Sequence, residues 1–557
     1  MKKYSNKPLV GDLISILVES GLKHVVVSPG SRNAPISYSF VEHPDVTVYS
    51  VPDERVAGYM ALGMCQMLEA PVAVVCTSGT AAYNYGPAVA EACYQKNPLI
   101  ILTADRPEEW IAQGEGQTIF QKDIFGKHVL FSAQLNEDHE DKDLRWHNIR
   151  RINEAWEICT TQTQGPVHLN IGLREPLYQF TDELPAPMIK RTMQMEHRMT
   201  EEQWETLRKT FNSKEKVLIV LTQNGGVSAN KYVDQVSRWN NVLTFSETTS
   251  NVHATEVVSC IDRFLESLDA DQTESLKPDL VVTIGHNIIS KKLRRLLRNS
   301  EAVHWHVDET DRFLDTFQKL ELTIPVTGDE FFNQIAHSTH SSESTYHSHW
   351  IEHEKKVKER HARFLETCSY SDMKVFEVLL SQMPEHIDLQ MGNSSVVRYI
   401  QLYDARPDLR YFGNRGTSGI DGCTSTAIGA AIISQKPTYL ISGDIAFFYD
   451  SNAFWHDHLP KNFKAIVINN GGGGIFRIIP GPKSTNALDP CFETPHHRTA
   501  EHIAKAHQLQ YYHVKDLDEL QDVLIQFHQA TQPSILEIFT PRERNDQVLQ
   551  DYFSSLK

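Results

Sequence analysis

The sequence predicts an α/β protein made of three doubly wound parallel sheets. Three observations lead there. Short, wholly apolar runs of strand length alternate with helical stretches rich in small residues, as buried parallel strands and their crossovers require. Several of those runs end in Gly or Asn, and the pattern restarts twice along 557 residues, a length that suits about three domains.

The first unit carries the runs His24–Val27, Ala73–Cys76, Leu99–Leu102 and Val167–Ile171. Pro176, Pro185 and Pro187, with Asp182 and Glu183 between them, punctuate the chain before the next strand signal at Lys216–Leu221. A boundary is expected near residues 180–200. A second unit follows, with Lys216–Leu221 running into Asn224-Gly225-Gly226 and a further run at Asp279–Gly285. The third starts near 372 and holds Thr438–Ser442 and Lys464–Ile468. The expected division is residues 1–185, 200–336, a linker and helix over 337–371, and 372–557. In that linker His337, His340, His347, His349 and His353 mix with Ser and Thr, and Glu354–Arg363 is a dense run of both charges. A metal site is conceivable there, but a solvated linker and helix is the expected reading.

Composition narrows the partners. With 40% hydrophobic and 22% charged residues the chain has the make-up of an ordinary globular protein. The apolar run Leu13–Val18 is interrupted by Ser15 and followed by Glu19, with no small-residue cleavage site, so no signal peptide is expected. No apolar stretch is long enough to cross a bilayer, and a cytoplasmic protein without membrane insertion is the expectation. Eight cysteines without a C-x-x-C pair suggest reduced thiols. A formal charge of −17 argues against nucleic acid. Any anionic substrate would have to find a local cationic pocket.

Gly443-Asp444 closes one predicted strand, and Asn470, in Asn469-Asn470-Gly471-Gly472-Gly473-Gly474, closes the next, 26 residues after Asp444. Mg²⁺ takes oxygen ligands in near-octahedral geometry, and the Asp444 carboxylate, the Asn470 amide oxygen and a backbone carbonyl such as that of Gly472 leave room for two diphosphate oxygens and a water. The crevice outside the carboxyl ends of parallel strands is also where open α/β sheets bind ligands. Plain turns are the competing explanation, because Gly, Asp and Asn favour them for conformational reasons.

This arrangement resembles the cofactor motif of the thiamine diphosphate-dependent enzymes, although Ile445 stands where the family motif has a second Gly. The resemblance implies thiamine diphosphate with Mg²⁺, and Mn²⁺ as a substitute. It also implies that a glutamate in a separate pyrimidine-binding domain activates the cofactor, and Val51-Pro52-Asp53-Glu54-Arg55 supplies one. Glu54 would hydrogen-bond N1′ of the aminopyrimidine and so promote loss of the proton at thiazolium C2. As a local feature, Glu54 is equally a first-turn acid of a helix reaching Leu68 with Asp53 as N-cap, and both readings can hold together. Gly79, in Thr77-Ser78-Gly79-Thr80-Ala81, matches the turn at the cofactor edge of that domain.

Further stretches are similar to the branch of the family that decarboxylates 2-oxoglutarate and adds the product to isochorismate in menaquinone biosynthesis. They are Ser28–Asn33, Asp105-Arg106-Pro107, Gly116-Gln117, Ser290–Leu293, Gly392-Asn393-Ser394, Asn414–Gly422 and Gly474-Ile475-Phe476. The resemblance implies that Ser31, Arg32, Arg106, Gln117, Lys291, Lys292, Ser394, Arg398 and Arg415 grip the carboxylates and hydroxyls of these two dianions. Guanidinium forks suit that task, and Arg32 and Arg106 follow strand ends as pocket residues do. Asn393, Ser394 and Ser418 would touch the cofactor, Ile420 would hold it bent, and Ile475 and Phe476 would line an apolar wall. Gly116 and Lys292 depart from the residues common at those places, which leaves their substrate contacts open. Relatives imply a homodimer or a dimer of dimers in which Glu54 and Asp444 meet across subunits. No G-x-G-x-x-G follows the first strand of the middle unit, so no FAD is expected. The competing functions are another carboligase of this type, such as an acetolactate synthase with smaller substrates, and a catalytically silent binding protein. The Arg and Lys cluster speaks against the first, and the joint presence of Glu54, Asp444 and Asn470 against the second.

Overall fold

The apolar runs become strands because β-branched residues favour the pleated backbone, and a parallel sheet covered on both faces buries both sides of such a run. In the computed structural model, which describes residues 3–557 apart from 138–140, 162–163, 194–198, 229–230, 311–312, 341 and 480, they form three wholly parallel sheets. Every residue of Val72–Cys76, Leu99–Asp105, Val217–Leu221 and Phe463–Asn469 is buried.

The first sheet has six strands in the spatial order Thr47–Ser50, His24–Val27, Val72–Cys76, Leu99–Asp105, Val167–Gly172, Phe131–Asn136. The third also has six, ordered Arg410–Phe412, Asp388–Met391, Thr438–Gly443, Phe463–Asn469, Ser534–Phe539, Gln510–Val514. Counted in chain order within each sheet, both read 2-1-3-4-6-5, so the two units share one connectivity. The middle sheet has five strands, with Val217–Leu221 between Val242–Ser246 and Leu280–Ile284, followed outward by Val303–Val307 and Leu320–Ile324. A two-residue antiparallel pair, Tyr4–Ser5 with Phe180–Thr181, ties the start of the first unit to its end. Between Thr181 and Glu201 the described chain has neither helix nor strand.

Each sheet separates two apolar clusters, and helices cover both faces. On the first sheet Leu13, Ile16, Ile100 and Leu102 belong to one cluster and Met60, Val74, Ile101 and Val89 to the other. Burying each such side chain contributes about 1.5–3 kcal/mol. No helix among the described residues is long and apolar enough to cross a membrane.

The first and third units meet through the helices Glu54–Leu68 and Cys423–Ile433. Their contact is backbone on backbone. A Cβ on Gly63 would lie 2.0 Å from the carbonyl oxygen of Thr426, and one on Gly429 would lie 1.9 Å from that of Met60. Only glycine fits at either position.

The charged stretch after the middle unit is less solvated than its composition implies. It forms the helix Tyr346–Thr367, on which His347, Trp350, Glu354, Val357 and His361 are buried. His347 bonds the Val242 carbonyl at 2.9 Å and Glu256 at 3.0 Å, and Glu354 accepts from buried Arg263 at 2.8 Å. The polar residues of this helix's inner face find partners on neighbouring elements, which a reading of charge content alone misses.

Candidate active site

The carboxyl ends of the third sheet bring the diphosphate-motif residues together. After Asp388–Met391 the chain turns through Ser394, at φ 74° and ψ −122°, directly into the helix Ser395–Ile400. A non-glycine residue held there is strained by about 1–3 kcal/mol and persists only where its surroundings impose it. They do so here: Arg398 donates to the Ser394 carbonyl, and Asn393 Nδ2 donates to the carbonyls of Asn414 at 2.8 Å and Gly419 at 2.6 Å. Arg415 Nη1 donates to Asn393 Oδ1 at 2.6 Å. One knot thus fixes Asn393, Ser394, Arg398 and Arg415.

Asp444 begins the next helix, and its Oδ2 accepts from the backbone N–H groups of Gly471 at 2.8 Å and Gly472 at 3.0 Å. His496 Nε2 lies 3.3 Å from the same oxygen. Asn470 Nδ2 donates to Asp372 Oδ2 at 3.2 Å, which commits that end of the amide as donor and leaves Oδ1 as acceptor. Asp372 is fully buried and also accepts from the Thr540 hydroxyl at 2.6 Å. Burial pushes its pKa up to about 6, against the pull of those hydrogen bonds.

A cavity of about 150 Å³ opens between these strand ends, lined by Asn393, Ser394, Ile420, Asp444, Asn470, Gly472, Ile475 and Phe476 among others. Carboxylate, amide and carbonyl oxygens on one side suit a hard cation with a diphosphate, and Ile420, Ile475 and Phe476 on the other suit an apolar ring. The residues present therefore fit Mg²⁺ and thiamine diphosphate. A second cavity of about 400 Å³ shares Ser395 and Ile475 with the first and adds Lys291, Lys292, Arg295 and Arg398. Lys292 is held by Glu266 and lies 4.3 Å from the centre of the Phe553 ring, and burial lowers its pKa to about 8. Ser418, at φ 62°, is exposed and lines neither cavity.

The other expected residues gather at the carboxyl edge of the first sheet. Glu54 heads its helix behind the N-cap Asp53, whose side chain accepts from Arg55 and Val56 N–H, and it takes an amide hydrogen bond from Asn84 at 3.4 Å. Arg32 is buried, donates to the Leu173 carbonyl at 2.9 Å, and pairs with Glu175 at 3.1 Å. Burial and then the charge of nearby Arg106 lower its pKa. Arg106 donates to the Gly116 carbonyl at 3.0 Å, so Gly116 takes part through its backbone, having no side chain to offer. Gly79 packs against Gln117: a Cβ added at Gly79 would lie 3.3 Å from the Gln117 Cα. The Gly79 N–H donates to Gln121 at 2.8 Å. Ser31 and Gln117 are exposed. None of these first-unit residues lines either cavity of the third.

Sequence reasoning missed Asp372, Gln121, His496 and Glu493. Glu493 is buried, takes both forks of Arg477 and Arg542, and its carbonyl accepts from Gly473 N–H at 2.7 Å. Burial alone would raise its pKa, but the two arginines hold it at about 2. Nothing in the local sequence marks these residues, since each acts through a partner far along the chain. Among the described residues no three His, Cys, Asp or Glu side chains gather as a metal cluster.

Known proteins match the segments of chain that carry both half-sites. Residues 9–125 match the thiamine pyrophosphate enzyme N-terminal TPP binding domain, and residues 390–538 the corresponding C-terminal TPP binding domain. Thiamine pyrophosphate is another name for thiamine diphosphate. A protein of Flavobacterium johnsoniae named 2-succinyl-5-enolpyruvyl-6-hydroxy-3-cyclohexene-1-carboxylate synthase is 41% identical over 99% of this chain and all of its own length. Proteins of the same name from Flavobacterium psychrophilum and Bacteroides fragilis are 40% and 34% identical, over 99% and 100% of this chain and the whole of theirs. With both cofactor-binding domains matched and this identity along its entire length, the chain belongs to the thiamine diphosphate-dependent 2-succinyl-5-enolpyruvyl-6-hydroxy-3-cyclohexene-1-carboxylate synthase family.

Proposed function

We propose that the protein decarboxylates 2-oxoglutarate and adds the resulting succinyl carbanion equivalent to isochorismate by conjugate 1,4-addition, releasing CO₂ in menaquinone biosynthesis. The observation that carries this reading is the group of cations, Lys291, Lys292, Arg295 and Arg398, lining a cavity that shares Ser395 and Ile475 with the diphosphate-motif pocket. Two dianionic substrates need such a group in a chain of net charge −17.

When bound, thiamine diphosphate supplies the nucleophilic carbon that takes up the 2-oxo acid and stores the electrons left by CO₂. Asp444, Asn470 and the Gly472 carbonyl would hold Mg²⁺, or Mn²⁺ in its place, with the diphosphate. Ile420, Ile475 and Phe476 would set an apolar wall beside the reacting carbon, and Asn393 and Ser394 would orient the cofactor, whereas Ser418 lies off this cavity. Glu54 would hold the pyrimidine ring and take up and return its proton, and Gly79 would sit in the turn at the same sheet edge. Arg415 or Arg398, placed at the ring carboxylate of isochorismate, binds the charge that grows there as the new bond forms, which lowers the barrier more than it tightens ground-state binding. Ser31, Arg32, Arg106, Gln117, Lys291 and Lys292 grip the remaining carboxylates and hydroxyls.

The first-unit residues lie off both third-unit cavities of their own chain, which supports a two-fold assembly in which a second copy brings Glu54 to Asp444. A homodimer or a dimer of dimers meets that need. Both substrates are water-soluble dianions, and the reaction is assigned to the cytoplasm. The three sheets are taken as three domains, residues 1–185, 200–336 and 372–557. The test is to incubate the protein with both substrates, with and without thiamine diphosphate and Mg²⁺, and to measure the coupled product and CO₂ by mass spectrometry. Cofactor-dependent product is expected; CO₂ without ligation would move the acceptor elsewhere, and turnover of neither substrate would sink the assignment.

A further inference from the structure

The chain between the strand Arg410–Phe412 and the helix Cys423–Ile433 puts Ile420 into the wall of the diphosphate-motif cavity, beside Asn393, Asp444 and Asn470. It forms neither helix nor strand, so its path is set by whatever holds its backbone. Asn393, from the third unit itself, donates to the carbonyls of Asn414 and Gly419 at 2.8 Å and 2.6 Å. Asn287, from the middle unit, donates to those of Arg415 and Gly416 at 3.2 Å and 3.0 Å. These contacts take up carbonyls and none of the loop's N–H groups.

The first unit takes two of those N–H groups. Glu91, on the helix Gly86–Gln95, is fully buried. Its Oε1 accepts from Gly416 N–H at 2.7 Å and its Oε2 from Thr417 N–H at 2.6 Å, and the Thr417 hydroxyl donates to the same Oε2. Gln95, one turn on, donates its amide to Oε1. A Cβ on Gly416 would lie 2.9 Å from the Glu91 carbonyl oxygen, so helix and loop meet backbone to backbone. On the other side of Ile420 the same unit holds Asp421: Tyr59 donates its hydroxyl to Oδ2 at 2.8 Å, and Arg55 donates to the carbonyl. Ile420 thus stands between two anchors from the first unit of its own chain.

Four donors converge on Glu91, and a carboxylate, with two oxygens and about four lone-pair sites, can receive them all. A neutral amide in its place would turn one oxygen into a donor facing a donor, and a buried N–H without a partner is costly. We propose that Glu91 is a positioning residue for the cofactor pocket: by gathering the Gly416 and Thr417 donors it fixes the loop, and with it the place of Ile420 in the cavity wall. The inference rests on reading that cavity as the thiamine diphosphate site. In the two-fold assembly proposed above, the first unit then serves two pockets, with Glu54 reaching a neighbour's and Glu91 shaping its own.

The test is a double-mutant cycle in the full-length protein, combining Glu91→Gln with Ile420→Ala. It is read by thiamine diphosphate titration of tryptophan fluorescence at saturating Mg²⁺ and by turnover. Glu91→Gln is expected to weaken cofactor binding about tenfold and to lower kcat by a similar factor, with KM for both acidic substrates within about twofold of wild type. In the Ile420→Ala background the same substitution should change cofactor affinity by less than about twofold, because the side chain it positions is gone. A general loosening of the fold would act equally in both backgrounds, so multiplicative effects would overturn the proposal, as would unchanged affinity in Glu91→Gln. Thr417→Val removes one donor to Glu91 and keeps the side chain's shape. It carries the same cycle if the Gln variant does not fold, with an expected change in affinity of about threefold. Failure of the pocket reading shows differently: Ile420→Ala alone would then bind thiamine diphosphate as wild type does, and the proposal would fall with it.

Discussion

The first and third sheets share one strand order, 2-1-3-4-6-5, yet their carboxyl edges carry opposite chemistry. The third ends its strands in Asp444, Asn470 and a run of glycines, a set of oxygen donors and close backbone. The first ends its strands in Arg32, Glu54, Gly79 and Arg106, cations and a carboxylate without a glycine run. The same scaffold thus offers an edge suited to a metal diphosphate and another suited to acidic substrates and a proton. Shared topology fixes where a site can be, and the loop residues decide what it does.

Substitutions on the two edges should separate these roles. The largest effect is expected from Glu54→Gln, which keeps the shape of the first edge but removes the carboxylate proposed to carry the proton. Product formation should fall by about 10²–10⁴-fold, while thiamine diphosphate still binds in a fluorescence titration. Loss of cofactor binding in that variant would mean that the first edge anchors the cofactor as well.

Next comes the middle sheet, where burial raises the Glu247 pKa from 4.5 to about 7. The folded chain therefore holds that proton more tightly than the unfolded chain. Its contribution to stability is complete below about pH 4.5 and is lost as pH rises through about 7. Glu247→Gln abolishes this dependence. Relative to wild type, the variant should gain up to about 3 kcal/mol between those limits, read from urea unfolding across pH. A constant difference between the two proteins would contradict it.

On the third edge, Asp372→Asn leaves the Asn470 amide without the carboxylate that orients it. Mg²⁺ affinity in the presence of thiamine diphosphate should fall about 10–100-fold by calorimetry. Equal affinity would show that Asp372 serves packing alone. The smallest change concerns the seam between the units: Gly63→Ala places a methyl against the Thr426 carbonyl and should cost about 1–3 kcal/mol in chemical unfolding.

Much of this architecture is legible in the sequence. Runs such as Lys216–Leu221 and Lys464–Ile468 suggest buried parallel strands because they are short, rich in β-branched residues and apolar on both faces after the leading lysine. Asp53 and Glu54 are readable as cap and first-turn acid, and the spacing from Asp444 to Asn470 marks two neighbouring strand ends. What stays hidden is whatever depends on distant partners. Asp372 looks like any acid opening a helix, and Glu247 and Glu493 stand in stretches with no motif. The helix Tyr346–Thr367 reads as a charged, solvated segment, yet Glu354 meets Arg263, 91 residues before it, inside the protein. Local charge content carries no record of such pairs.

The glycine seam has a genetic consequence. Because Gly63 and Gly429 lock the helix headed by Glu54 to the unit that carries Asp444, a chain cannot readily swing its own glutamate into its own pocket. If each pocket is completed by a neighbour, two defective alleles can rescue each other. A dimer of one chain lacking Glu54 and one lacking Asp444 concentrates both lesions in one pocket and leaves the other whole.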